Sequence, residues 1–170
     1  MPIRHRPAQA QASLVDCRRR PSWVVQITLP KAAMPYQRIL VPIDFSDASL
    51  TAFQLALDHY AHPDRTLVLL HVVTAGGGQD LAAQSAAAEE ARRRITTLGN
   101  SRKAAWKDVE TLVEAGKPTE LIITTAQREG VDLVIMGSHG TGGVRQMLFG
   151  STTYDVARKV RCSVLISKPD

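Results

Sequence analysis

The apolar and polar positions show no sustained period over residues 1–33 and a regular one from Met34 onward. Ile39-Leu40-Val41-Pro42-Ile43 is a short apolar run that predicts a first strand. Ser46 follows as a helix cap, with Asp47 well placed in the first turn. Phe53, Ala56, Leu57, Tyr60 and Ala61 then recur at helical spacing on one face. Leu67 to Val73 predicts a second strand, interrupted by His71, and Gly76-Gly77-Gly78 breaks the chain. Leu81, Ala88, Ala91, Ile95 and Leu98 mark a second helix, which Gly99 is predicted to end. Val109, Thr111 and Val113 alternate with Glu110, the pattern of a half-exposed edge strand. Pro118 and Gly130 bracket a third helix. Leu133 to Met136 predicts a fourth strand, Ser151 or Thr152 opens a fourth helix with Val156, Ala157 and Val160 inward, and Val164-Leu165-Ile166 predicts a fifth strand.

Strands alternating with helices, the strands being continuously apolar, predict an α/β fold: a five-stranded parallel sheet covered by helices on both faces, Rossmann-like. Right-handed crossovers restrict its topology. In such sheets ligands sit beyond the C-terminal ends of the strands, where the strand order reverses. The residues just after strands one and four are therefore the place to look for chemistry.

Charge changes this picture little. The chain of 170 residues carries a formal net charge of +5, which suggests nucleic acid as a partner until the charge is located. Arg4, Arg6, Arg18, Arg19, Arg20 and Lys31 face Asp16 alone within residues 1–33, so the whole excess sits in that stretch. The remaining residues are balanced, which argues against a nucleic-acid surface on the folded part. Residues 1–33 read as a basic, disordered N-terminal extension, with Trp23 to Leu29 as a weak strand, and residues 34–170 as one domain. Met34, directly before the regular pattern, is a second candidate start. No apolar run is long enough to span a membrane, and no apolar stretch with a cleavage site marks a signal peptide. Cys17 and Cys162 are isolated, which makes neither a disulfide framework nor a metal cluster and points to a reducing, cytoplasmic compartment.

After strand four the chain reads Met136-Gly137-Ser138-His139-Gly140-Thr141-Gly142-Gly143, and further on Gly150-Ser151-Thr152-Thr153. Glycines so dense let a ligand approach the backbone closely. Successive N–H groups in such a loop form an anion-binding concavity, and a helix start at Gly150-Ser151-Thr152 adds hydroxyls and the positive end of a helix dipole. That combination suits a polyphosphate. It is not a Walker A loop, because no Lys-Ser or Lys-Thr follows. After strand one, Asp44 places a carboxylate that can accept from ribose hydroxyls or lie near a magnesium ion on the phosphates, and Val72 ends the neighbouring strand beside it. The plainer readings are a structural turn for the glycines, a helix-start charge for Asp44, a structural role for His71, and a solvated helix face for Arg92-Arg93-Arg94. His5, His59 and His62 lack metal-ligand spacing.

Gly137, two residues, Gly140, nine residues and then Gly150-Ser151 resembles the ATP-binding signature of the universal stress protein family. Ile39 to Ser46 and Leu70-His71-Val72 are also similar to that family, and the likeness runs from Met34 to about Lys168. The resemblance implies an adenine nucleotide alpha hydrolase-like sheet of strand order 3-2-1-4-5. It implies ATP, with or without magnesium, as ligand: Asp44 on the ribose, with Pro42, Ile43, Val72 and Met136 around the adenosine. Gly137, His139, Gly140, Gly150, Ser151, Thr152 and Thr153 would hold phosphates and ribose. It also implies a homodimer paired through the last strand near Val164 and Ile166. Thr141-Gly142 departs from the Arg-Thr common in relatives and removes a cation from the phosphates.

Three functions remain open at this stage: a nucleotide-responsive regulatory protein, a slow ATPase or phosphotransferase, and an interaction module that ignores nucleotide. The second needs a base, and the sequence offers only Asp44 or His139, with no partner His, Cys or carboxylate beside the histidine.

Overall fold

A computed structural model describes residues 36–74, 81–140 and 149–168. The basic extension, the Gly76–Gly78 break and the stretch containing Thr141, Gly142 and Gly143 lie outside these residues. The strands are β1 (Arg38–Pro42), β2 (Thr66–Val73), β3 (Asp108–Ala115), β4 (Leu133–Gly137) and β5 (Ser163–Ser167). The helices are α1 (Asp47–Tyr60), α2 (Leu81–Asn100), α3 (Pro118–Arg128) and α4 (Ser151–Lys159). All registered strand pairs are parallel, in the order β3-β2-β1-β4-β5.

The two-residue period of the strands divides the core in two. Ile39, Val41, Leu67, Leu69, Leu133 and Ile135 face Ala52, Phe53 and Ala56 of α1 and Ile95 of α2. Leu40, Val68, Leu70, Val134 and Met136 face Ile122 and Ala126 of α3 and Val156 of α4. Ser46 caps α1, its side chain accepting from the Ser49 N–H. Pro118 begins α3, and Gly130 follows that helix at φ +62°, a backbone shape that favours glycine.

Two sequence expectations change. Gly99 does not end the second helix, which runs on to Asn100. A Cβ at Gly99 would stand 3.0 Å from Thr111 Cγ2 and 3.1 Å from Val109 Cγ1, so the glycine is there to let α2 lie close on β3. Ala157 is exposed rather than inward; Val156 supplies the buried position of that turn.

The sheet opens at its centre. β1 and β4 register only through Ile39–Leu133 and Leu40–Val134. Past that point β1 stays with β2, the Ile43 N–H donating to the Leu70 carbonyl at 2.8 Å. β4 stays with β5, the Ser138 N–H donating to the Ser167 carbonyl at 2.7 Å. The two strands part at the place where the order reverses, which leaves a crevice at their C-terminal ends.

Gly137 lines that end of β4 for a packing reason. A Cβ there would meet the backbone of Ala48 at 2.7–2.8 Å. A helix backbone locked between cap and core cannot yield as a side-chain tip can. Gly137→Ala is therefore expected to destabilise the fold by about 1–3 kcal/mol in urea denaturation, and an unchanged midpoint would contradict this packing.

Candidate functional site: the crevice between β1 and β4

The loop after β1 and the loop after β4 meet. A Cβ built on Gly140 would lie 2.5 Å from Asp44 Oδ2, so the carboxylate rests against the glycine backbone and no side chain fits between them. The Ser46 N–H donates to Asp44 Oδ1 at 3.0 Å, and the Ser46 hydroxyl binds the same oxygen. That hydroxyl also accepts from the Ser49 N–H. One serine thus starts α1 and orients Asp44.

Between them, Phe45 takes φ +62°, the one positive φ outside glycine among the described residues. Such a backbone costs on the order of 1–3 kcal/mol and needs support from its surroundings. The Arg94 guanidinium of α2 lies 3.8 Å from the Phe45 ring centroid, and the His71 ring lies 4.9 Å from it. The cation–π contact returns about 0.5–1 kcal/mol, less than most of the strain range. His71 Nδ1 is 2.7 Å from the Ile43 carbonyl, so His71 anchors the segment on a second side.

On the β4 side, the Gly150 N–H donates to the Ser138 carbonyl at 2.7 Å and the buried Thr153 hydroxyl to the Gly137 carbonyl at 2.9 Å. These two bonds tie the start of α4 to the end of β4. Gly150 is the cap of α4 and provides no side-chain bond to it. The first intrahelical bond runs from the Tyr154 N–H to the Gly150 carbonyl. The N–H groups of Ser151, Thr152 and Thr153 therefore have no partner within the helix and carry its positive dipole end. His139 Nδ1 lies 3.1 Å from the Ser138 hydroxyl.

The predicted residues divide accordingly. Asp44, Gly140, Gly150, Ser151 and Thr152 surround the crevice end. Pro42, Val72 and Met136 share the sheet face covered by α3 and α4, Met136 being buried and Pro42 and Val72 half-buried. Ile43 does not join them. Its side chain is 2% exposed in the core under α1 and α2, its N–H goes to Leu70, and its carbonyl goes to His71. Thr153 gives its hydroxyl proton to Gly137, so it braces the loop, with only its N–H left for a ligand.

Residues 35–168 match the universal stress protein family. This chain belongs to that family. It is 30% identical over 145 residues to the universal stress protein YxiE of Bacillus subtilis, covering 77% of this chain and 98% of that one. The solved structure of the Methanocaldococcus jannaschii protein MJ0577 has a TM-score of 0.69 at 27% identity, covering 79% of this chain and 97% of the other. A universal stress protein solved in complex with cAMP has a TM-score of 0.61 at 25% identity, covering 78% of this chain and 97% of that one.

Two residues of this universal stress protein's site escape sequence reasoning. Phe45 looks like a loop aromatic, because its positive φ and its stack are visible only in three dimensions. Ser138 sits unremarked among the glycines, yet it is 1% exposed and its backbone binds both β5 and α4. Arg94, expected on a solvated face, packs on Phe45, whereas Arg92 and Arg93 pair with Glu89 and Glu90. Among the described residues no three His, Cys, Asp or Glu side chains cluster to hold a metal ion. Burial pushes the Cys162 thiol up, away from thiolate chemistry at neutral pH. No helix of the described residues is long and apolar enough to cross a membrane. A groove of about 590 Å³ between α1 and α2, walled by Phe45, Leu50, Arg94 and Leu98, contains none of the residues predicted to bind nucleotide.

Proposed function

We propose that this universal stress protein binds an adenine nucleotide, ATP above others, in the crevice between β1 and β4 and acts as a nucleotide-responsive regulator. The observation that carries this reading is the approach of the Asp44 carboxylate to Gly140, beside a helix start whose N–H groups are uncapped. Asp44 accepts from the ribose hydroxyls. The N–H groups at Ser151 and Thr152, with the backbone of Gly140 and Gly150 and the ring of His139, hold phosphates. Pro42, Val72 and Met136 flank the base. Gly137 serves by keeping α1 close, and Ile43 by anchoring the loop before Asp44. Magnesium, when it accompanies ATP, screens phosphate charge and takes its place near Asp44. The cAMP bound by a relative of the same fold supports an adenine nucleotide here.

The same reading takes residues 34–170 as the nucleotide-binding domain, 1–33 as a basic extension, and the cytoplasm as the setting. It makes the protein a homodimer. β5 is an end strand of the sheet, and its Val164, Leu165 and Ile166 are only half-buried. A second copy of β5 can pair with that edge and cover them. This reading takes nucleotide as a signal; a turnover reading would need Asp44 or His139 as its base.

Titration calorimetry with ATP and magnesium tests the binding. Wild-type protein at tens of micromolar should give a saturable heat, and Gly140→Val, whose side chain displaces Asp44, should bind about tenfold or more weakly while keeping its circular dichroism. No wild-type heat, or equal affinity in the variant, would end this reading. Sedimentation should show a dimer that Ile166→Asp converts to monomer; a monomeric wild type would remove the dimer from it.

A further inference from the structure

We propose that Phe45 is a positioning residue of the nucleotide site: clamped between α2 and β2 by Arg94 and His71, it aims the Asp44 carboxylate at the ribose and so sets the preference for an intact ribose. This rests on the nucleotide reading above.

Phe45 lies between two residues with fixed tasks, Asp44 against Gly140 and Ser46 at the start of α1. Its left-handed backbone is what lets the chain do both within one step. Nothing intrinsic to phenylalanine favours that backbone, and a glycine would take it without strain. A phenylalanine at a glycine-like position is explained when its ring has a task. The ring has two anchors from separate elements, the Arg94 guanidinium at 3.8 Å and the His71 ring at 4.9 Å. His71 in turn holds the Ile43 carbonyl at 2.7 Å. The segment 43–46 is thus fastened at each residue: Ile43 by β2, Asp44 by Ser46, Phe45 by α2 and β2, and Ser46 by α1. Phe45 also borders the open groove between α1 and α2, which Arg94 itself helps to wall, and this leaves the ring room to swing out once Arg94 is lost. A swing of that ring turns the backbone next to Asp44, and the carboxylate moves with it. The phosphate-facing groups stand on the loop after β4 and at the start of α4, elements separate from the one that carries the ring. Loss of the clamp therefore weakens recognition of the sugar and spares recognition of the phosphates.

Affinities for ATP and for 2′,3′-dideoxy-ATP, measured side by side on the full chain by calorimetry, test this. Wild type should prefer ATP by about tenfold or more, the effect of hydrogen bonds to a charged group. Phe45→Tyr, which keeps the ring, should retain that preference. Phe45→Ala should prefer ATP by no more than about twofold while still binding both. Arg94→Ala, an exposed helix position that leaves the core untouched, should lower the preference about threefold. If Phe45→Ala and Arg94→Ala weaken both nucleotides equally and keep the wild-type ratio, Phe45 is only structural and the inference is overturned. A wild type that binds both nucleotides equally also overturns it. A wild type that binds neither overturns the nucleotide reading itself.

Discussion

The parting of β1 from β4 is the constraint on which the rest of the structure depends. Here the central ladder stops after Leu40–Val134, and each strand continues with its outer neighbour. That divergence sets the loops after β1 and β4 side by side on the same edge of the sheet. The order β3-β2-β1-β4-β5 reverses direction at this pair and at no other, so the crevice has one position in the fold. The two halves of the proposed nucleotide site follow from that geometry: the carboxylate from one loop, the helix start tied to the other.

The two groups contribute differently. A helix start stabilises an anion by about 0.3–1 kcal/mol at an exposed site, rising to ~2 kcal/mol when partly buried. Hydrogen bonds to a charged carboxylate contribute about 1.5–3 kcal/mol. A site with the helix start alone would take any small phosphate weakly. With Asp44 held against Gly140, the larger contribution goes to whatever presents hydroxyls at a fixed distance from its phosphates, and a nucleotide does so. On the proposed reading, this difference accounts for the strained backbone at Phe45 next to the carboxylate and for the bonds that Ser46 and Ser138 make inside the loops.

Most of the architecture was legible from the sequence because apolar periodicity reports burial directly. The edge strand around Val109 to Val113 and the bracketing of α3 by Pro118 and Gly130 follow from local chemistry alone. Gly99 misled because a glycine late in a helix looks like a stop, whereas its partners Val109 and Thr111 come from another element. Ile43 misled in the same way: it adjoins Asp44 in sequence, but the strand period turns its side chain to the opposite face from Pro42, Val72 and Met136. The glycine spacing marked the loop, yet it does not distinguish a glycine that admits a carboxylate from one that admits a helix. Gly137 meets Ala48 and Gly140 meets Asp44, and only three-dimensional contacts separate the two roles. The stack of Arg94 on Phe45 joins residues far apart in sequence and leaves no periodic trace.

The account is tested most directly by a crystal structure of the protein grown with ATP and magnesium. It predicts the ribose hydroxyls within hydrogen-bond distance of Asp44, the phosphates over the N–H groups of Ser151 and Thr152, and the base against Val72. Nucleotide seated in the groove between α1 and α2, or a crevice closed by side chains with Asp44 turned away from Gly140, would contradict it.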